Sequence, residues 1–254
     1  MYNYQGKKVL ITGGGSGIGR SISLLFAQHE AEIIIFDLDT PTTNNTFEEL
    51  KNIQPKTSLY FVDISNYFEV EKAANLIGNI DILINNAGIS QIGNLENTSS
   101  EDFQKIFEVN VKGAFHCSKA FISSMKKQKS GVILNIASVA ASVGIPDRLG
   151  YSMTKGAIKT MTMSIAKDYI KDGIRCNSIS PARVYTPFVE GYLEKNYPEN
   201  KEEMFNKLSA TQPIGRMGQS DEIASMALYL CSDEASFLTG CDYPIDGGFL
   251  YLNN

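Results

Sequence analysis

Three observations on this 254-residue chain predict an α/β fold with an open, doubly wound parallel sheet. Short apolar runs of strand type alternate with stretches that are apolar at helical spacing. The first junction between them is a glycine-rich turn. Successive runs also end in acidic, amide or small residues, and in open α/β sheets ligands bind beyond the carboxyl ends of the strands.

Residues 7–12 (Lys-Lys-Val-Leu-Ile-Thr) read as the first strand, and residues 20–27 (Arg-Ser-Ile-Ser-Leu-Leu-Phe-Ala) as the helix that follows. Between them lies Gly-Gly-Gly-Ser-Gly-Ile-Gly at 13–19. Glycine permits positive φ and lets bare backbone approach a pyrophosphate, whose charge is drawn to the free N–H groups and dipole of a helix N-terminus. The spacing Gly13-x-x-x-Gly17-x-Gly19 is not the usual Gly-x-Gly-x-x-Gly. A phosphate-binding P-loop is the rival, because residues 14–21 read Gly-x-x-x-x-Gly-Arg-Ser, with arginine in place of its lysine and no clear magnesium-binding partner.

The second strand decides between them. Residues 31–36 (Ala-Glu-Ile-Ile-Ile-Phe) end at Asp37, where a carboxylate accepts hydrogen bonds from an adenosine ribose and repels a 2′-phosphate. Neither Ser16 nor Leu38 supplies a compensating cation, so NAD is expected over NADP. Strands at 58–62 and 80–84 end at Asp63-Ile64 and at Asn85-Asn86-Ala87-Gly88, placed to line the adenine side. A strand at 132–137 ends at Ser138.

Six features in order resemble the short-chain dehydrogenase/reductase family over essentially the whole chain. They are the turn at 12–19, Asp63, the Asn-Asn-Ala-Gly run, Asn110, Ser138 with Tyr151-x-x-x-Lys155, and residues 181–186. The resemblance implies one Rossmann-type domain over residues 1–254, with a seven-stranded, mostly parallel sheet in the order 3-2-1-4-5-6-7, helices on both faces, and a helical substrate lid over residues 183–215. It implies a cofactor site formed by Gly13, Ser16, Gly17, Ile18, Gly19, Asp37, Asp63, Ile64, Asn86, Ala87, Gly88, Tyr151, Lys155, Pro181, Val184 and Thr186. Two departures stand out. Arg183 ends a Pro-Ala-Arg stretch where the family commonly has Pro-Gly, and residues 39–55 look short for a second crossover helix.

Hydride leaves an alcohol only as its proton leaves, so a base must touch the hydroxyl while a donor fixes the oxygen. Tyr151 is the candidate base. Unperturbed, with a pKa near 10, it is ionised only about one part in a thousand at neutral pH. Lys155 lies four residues on, about 40° round the same helix face. A cation at roughly 4 Å contributes on the order of 4 kcal/mol at an effective dielectric of 20, nearly three pKa units. Ser138 is placed to hold the substrate oxygen. By resemblance, Lys155 also holds the nicotinamide ribose, and Asn110, after a helix opened by the capping pattern at 99–102, places a water for proton relay. Retention of all four argues for an enzyme over a cofactor-sensing scaffold, which would have lost the tyrosine or lysine.

Three arginines bear on the substrate: Arg148 three residues before Tyr151, Arg183, and Arg216 in a Pro-Ile-Gly-Arg context that is usually structural in this family. Guanidinium groups favour carboxylates. The Arg148-x-x-Tyr151 placement resembles the branch of cytosolic 3-hydroxybutyrate and deoxy-ketosugar-acid dehydrogenases, which implies a small hydroxy acid or sugar acid. The alternatives are a neutral sugar or polyol and, against Asp37, a 3-oxoacyl group.

A chain that is 43% hydrophobic is large enough for one core. The four cysteines lack metal-ligand spacing and read as reduced thiols of a cytoplasmic protein. No apolar run is long enough to span a membrane. A net charge of −5 without a basic cluster argues against nucleic acid, since Lys126, Lys127 and Lys129 fit the end of a helix. By resemblance, the helix at 221–230 and the strand at 242–246 pair with their symmetry mates, and the long helix near Tyr151 packs on another subunit, which implies a homotetramer.

Overall fold

The computed structural model describes residues 2–252, apart from the side chains at positions 188, 192, 195 and 196. Seven strands form one parallel sheet: β1 (Lys8–Thr12), β2 (Glu32–Asp37), β3 (Ser58–Phe61), β4 (Ile82–Asn85), β5 (Gly131–Ile136), β6 (Ile174–Pro181) and the last, β9 (Asp242–Ile245). Their order is β3-β2-β1-β4-β5-β6-β9. Counting sheet strands alone, this is the expected 3-2-1-4-5-6-7. The short pair β7 (Val184–Tyr185) and β8 (Gly218–Gln219) stands apart from it.

Both faces of the sheet are apolar because alternate strand residues point opposite ways. Val9, Ile11, Ile33, Ile35, Ile82 and Ile84 share one cluster with Ile22 and Phe26 of α1 (Gly17–Gln28), Leu50 of α2 (Pro41–Ile53), and Ile223 and Ala227 of α9 (Ser220–Cys231). Leu10, Ile34, Phe36, Leu83 and Ile133 join the other. There they meet Val70 of α3 (Tyr67–Ile77), Phe121 and Met125 of α5 (Gly113–Gln128), and Ala166 of α6 (Leu149–Tyr169). A register slip of one residue would exchange the two faces, so this pattern fixes the strand ends.

Residues 39–55 do hold a full crossover helix. α2 fits because Thr40 caps Thr43 N at 3.1 Å and Pro41 starts the first turn. Its buried face is partly threonine, Thr43 and Thr46 beside Leu50, which hides it from an apolar-periodicity reading. The capping pattern at 99–102 opens α4 (Ser100–Phe107), where Ser99 Oγ accepts from Asp102 N at 3.0 Å. α4 does not stop before Asn110. It runs through a π-helical turn, Glu108–Lys112, into α5, so Asn110 neither caps nor ends a helix. α7 (Pro187–Asn196) and α8 (Lys201–Ala210) lie between β7 and β8, within the segment expected to cover the substrate. No helix among the described residues is long and apolar enough to cross a membrane.

Candidate active site

The glycine turn carries φ of +64° at Gly13 and +51° at Gly17, a region that favours glycine. A Cβ on Gly19 would lie 2.0 Å from Gly13 O, so α1 approaches the turn as closely as backbone permits. Ser16, at the exposed N-cap, makes no side-chain capping bond. First-turn N–H groups, including that of Ile18, are thereby left for a ligand, and the surroundings fit a pyrophosphate.

Asp37 stands at the end of β2 beside this turn. Its Oδ2 accepts from Gly15 N and its Oδ1 from Leu38 N, both at 2.8 Å. A carboxylate has about four acceptor positions, so capacity remains on both oxygens. Gly15 was not singled out from sequence. A Cβ there would lie 2.8 Å from Asp37 Oδ2 and from Thr43, and Thr46 Oγ1 donates to Gly15 O at 2.8 Å. The threonine face of α2 thus holds the carboxylate's backbone donor in place. No sequence pattern announces this, because the contact joins residues some thirty positions apart.

The Asn-Asn-Ala-Gly run is tied to the glycine turn. Thr12 Oγ1 accepts from both Asn86 N and Ala87 N at 3.0 Å, and Asn86 Nδ2 donates to Thr12 O and Gly13 O at 3.0 and 3.1 Å. Exposed Asp63 accepts from Ser65 N and Oγ, at 2.9 and 2.7 Å, and His116 Nδ1 donates to Ile64 O at 2.9 Å.

Ser138, Tyr151 and Lys155 come together where β5 ends and α6 begins. Ser138 is buried; its Oγ reaches Pro181 O at 3.5 Å and accepts from Ala140 N at 3.2 Å. Burial pushes the Tyr151 hydroxyl up, while its hydrogen bond with Ser138 and the charge of Arg148 pull it down. Lys155 is buried, which draws its ammonium down to about 8, and Nζ donates to Ile136 O at 2.8 Å. Its distance from the Tyr151 ring centre is 5.7 Å. Arg148 supplies part of the field on the tyrosine. A Cβ on Gly88 would lie 3.1 Å from Asn110 Oδ1 and 3.6 Å from Lys155 Nζ, which joins the fourth candidate to this group.

The three arginines are placed differently. Arg148 donates from Nη1 to Ser90 Oγ at 3.1 Å and Gln91 O at 3.3 Å, both neutral acceptors. Arg183 reaches across α7 and α8 in sequence, with Nε donating to Thr211 Oγ1 at 3.1 Å. Arg216 forms a two-pronged pair with Glu222 at 2.8 and 2.7 Å, and this pair holds the Glu222 carboxyl down at about 2. Val184 is buried in β7, and Thr186 caps α7; a Cβ on Gly17 would lie 3.8 Å from Thr186, so α7 begins directly against the glycine turn.

A family model described as enoyl-(acyl carrier protein) reductase matches residues 13–250. An uncharacterized oxidoreductase of Thermotoga maritima is 42% identical over 97% of this chain and 98% of its own length. The crystal structure of Cj0485 dehydrogenase superposes with a TM-score of 0.92 at 33% identity, covering 98% of this chain and 96% of that one. A xylitol dehydrogenase solved with NAD+ bound superposes with a TM-score of 0.89 at 29% identity, covering 96% and 99%. On this fold, these side chains and these relatives, the chain belongs to the short-chain dehydrogenase/reductase family of oxidoreductases.

Proposed function

We propose that this protein is an NAD-dependent dehydrogenase that interconverts a secondary alcohol and a ketone. The observation that carries the reading is the joint placement of Ser138, Tyr151, Lys155 and Asn110 at one end of a sheet whose β2 terminates in Asp37. When bound, a nicotinamide cofactor supplies the hydride acceptor. Ser138 donates a hydrogen bond to the substrate oxygen and turns its O–H toward Tyr151. As phenolate, Tyr151 takes that proton while the carbinol hydrogen leaves carbon with the C–H electron pair for the hydride acceptor, and the C=O forms. Lys155 and Arg148 stabilise the phenolate, and desolvation strengthens both interactions.

Gly13, Ser16, Gly17, Ile18 and Gly19 hold the pyrophosphate. Asp37 accepts from the adenosine ribose, and Asp63, Ile64, Asn86, Ala87 and Gly88 line the adenine side. Tyr151, Lys155, Pro181, Val184 and Thr186 flank the nicotinamide half. The NAD-bound xylitol dehydrogenase supports NAD as cofactor.

The substrate is a small hydroxy acid or sugar acid. Arg148 supports this, because its charge faces neutral partners and no carboxylate of the described residues pairs with it. Arg183 is the second candidate for the acid group. A neutral polyol is the other reading, favoured by the xylitol dehydrogenase neighbour. NADH appearance with NAD, then NADP, against 3-hydroxy acids, sugar acids, neutral sugars and polyols tests both. Turnover of acids with NAD supports the reading, and turnover of neutral polyols alone makes the arginines structural.

The assembly is a homotetramer in the cytoplasm. Exposed Phe107, Phe115, Met153 and Met163 on α4 to α6 support association, and four unpaired cysteines fit a reducing compartment.

A further inference from the structure

α6 carries Tyr151 and Lys155, and it is fastened at two points by the same device. Asn110 Nδ2 donates to Thr154 Oγ1 at 3.0 Å, and Thr154 Oγ1 donates to Tyr151 O at 2.8 Å. Two turns on, Asn135 Nδ2 donates to Thr162 Oγ1 at 2.8 Å, and Thr162 Oγ1 donates to Ile158 O at 2.9 Å. In each case a buried amide reaches a buried threonine hydroxyl, which passes the bond to a carbonyl of its own helix. Threonine hydroxyls commonly bond back to a preceding carbonyl, so the amide on the other side is the informative half.

At the first strut both amide hydrogens are spent. Asn110 Nδ2 also donates to Ile89 O at 3.0 Å, and Asn110 Oδ1 accepts from Ile89 N at 2.8 Å. The side chain therefore has no hydrogen left for a substrate, and its reach to α6 ends on Thr154. Thr154 has 0% exposure and sits immediately before Lys155. Its hydroxyl is the hydrogen-bonded link from the π-helical turn to the turn of α6 that holds both reacting side chains.

We propose that Thr154 is a positioning residue: its hydroxyl fixes the Tyr151–Lys155 turn of α6 against the π-helical turn that carries Asn110. This rests on the alcohol–ketone chemistry proposed above. Thr162 serves as the internal control, a strut of the same construction two turns from the chemistry.

The test compares Thr154→Val, Thr154→Ser and Thr162→Val in the full chain by kcat, KM, the pH profile of kcat, and Tm. Thr154→Val keeps the shape and loses the hydroxyl. It should lower kcat about 10- to 100-fold with little change in KM, the scale that a small misplacement of reacting groups produces. The limb set by Tyr151 should move upward by about half a pH unit. Thr154→Ser should restore both. Thr162→Val should lower Tm about as much as Thr154→Val does and leave that limb where it was. Should Thr154→Val fail to fold, Thr154→Ala against Thr154→Ser makes the same comparison. Equal kcat and an equal limb in Thr154→Val and Thr162→Val would overturn the inference. Absence of turnover in the unmodified protein with every alcohol would overturn the underlying function instead.

Discussion

At the cofactor end of the site each tie has backbone on at least one side: Gly13 φ, the approach of Gly19 to Gly13 O, Gly15 N held on Asp37, and Asn86 Nδ2 on Thr12 O and Gly13 O. In residues 183–222 they are made largely by side chains: Arg183 to Thr211, Arg216 to Glu222, and the Tyr185 ring on Phe205 with centroids 5.5 Å apart. The first kind of contact admits almost no substitution, since an added Cβ has nowhere to go. The second kind can be rebuilt with other residues. A site made this way keeps one cofactor geometry while its substrate end is free to vary.

The largest expected effect follows from the tighter end. Gly19→Ala puts a methyl group where Gly13 O already lies, and the backbone must part. NAD binding measured by calorimetry should be lost, whereas retention of affinity within a few-fold would show that the turn is not the pyrophosphate site.

Asp37→Ser comes next. It removes a charge that repels a 2′-phosphate and frees Gly15 N and Leu38 N, two donors a phosphate can use. The NAD/NADP ratio of kcat/KM should fall by about two orders of magnitude, a change of about 3 kcal/mol, the size of one or two charge-assisted hydrogen bonds. An unchanged ratio would move the source of cofactor choice elsewhere.

Arg148→Ala probes the substrate end from outside residues 183–222. KM for an acidic substrate should rise about 10-fold or more, with a neutral analogue affected far less. Equal effects on both would mean that Arg148 serves only to anchor the loop at Ser90 and Gln91 and to bias Tyr151.

The smallest effect is on stability. The Glu222 carboxyl is held below its ordinary value of 4.5, at about 2, chiefly by Arg216. A depressed carboxylate stabilises the fold above its unfolded value, and that contribution is lost as pH falls through the folded one. The pair is partly exposed, so Glu222→Gln should lower Tm at pH 6 by only about 2 °C, with the two proteins converging as pH approaches 2. A constant gap across that range would assign the loss to packing.

The same contrast explains what the sequence makes legible. Glycines forced by close approach, an apolar strand ending in Asp37, and a tyrosine and lysine one helical turn apart are local patterns that show directly in the chain. α2 is not, because its inner face is Thr43 and Thr46, chosen for Gly15 rather than for apolar burial. The π-helical turn at Glu108–Lys112 is equally silent, since its five residues differ little from an ordinary helical stretch. The partners of Asn110, Arg148 and Arg183 lie 21 to 58 positions away in the chain, contacts that spacing cannot supply.

The most direct test of the central claim is Tyr151→Phe, which deletes one oxygen from a ring whose packing it leaves intact. With the best alcohol from the panel and saturating NAD, its rate of NADH formation should fall by about 10²- to 10⁴-fold relative to the unmodified protein, the range for loss of a general base, while NAD affinity is retained. A variant that turns over at the unmodified rate would contradict the assignment of Tyr151 as the base, and with it the reading of this site.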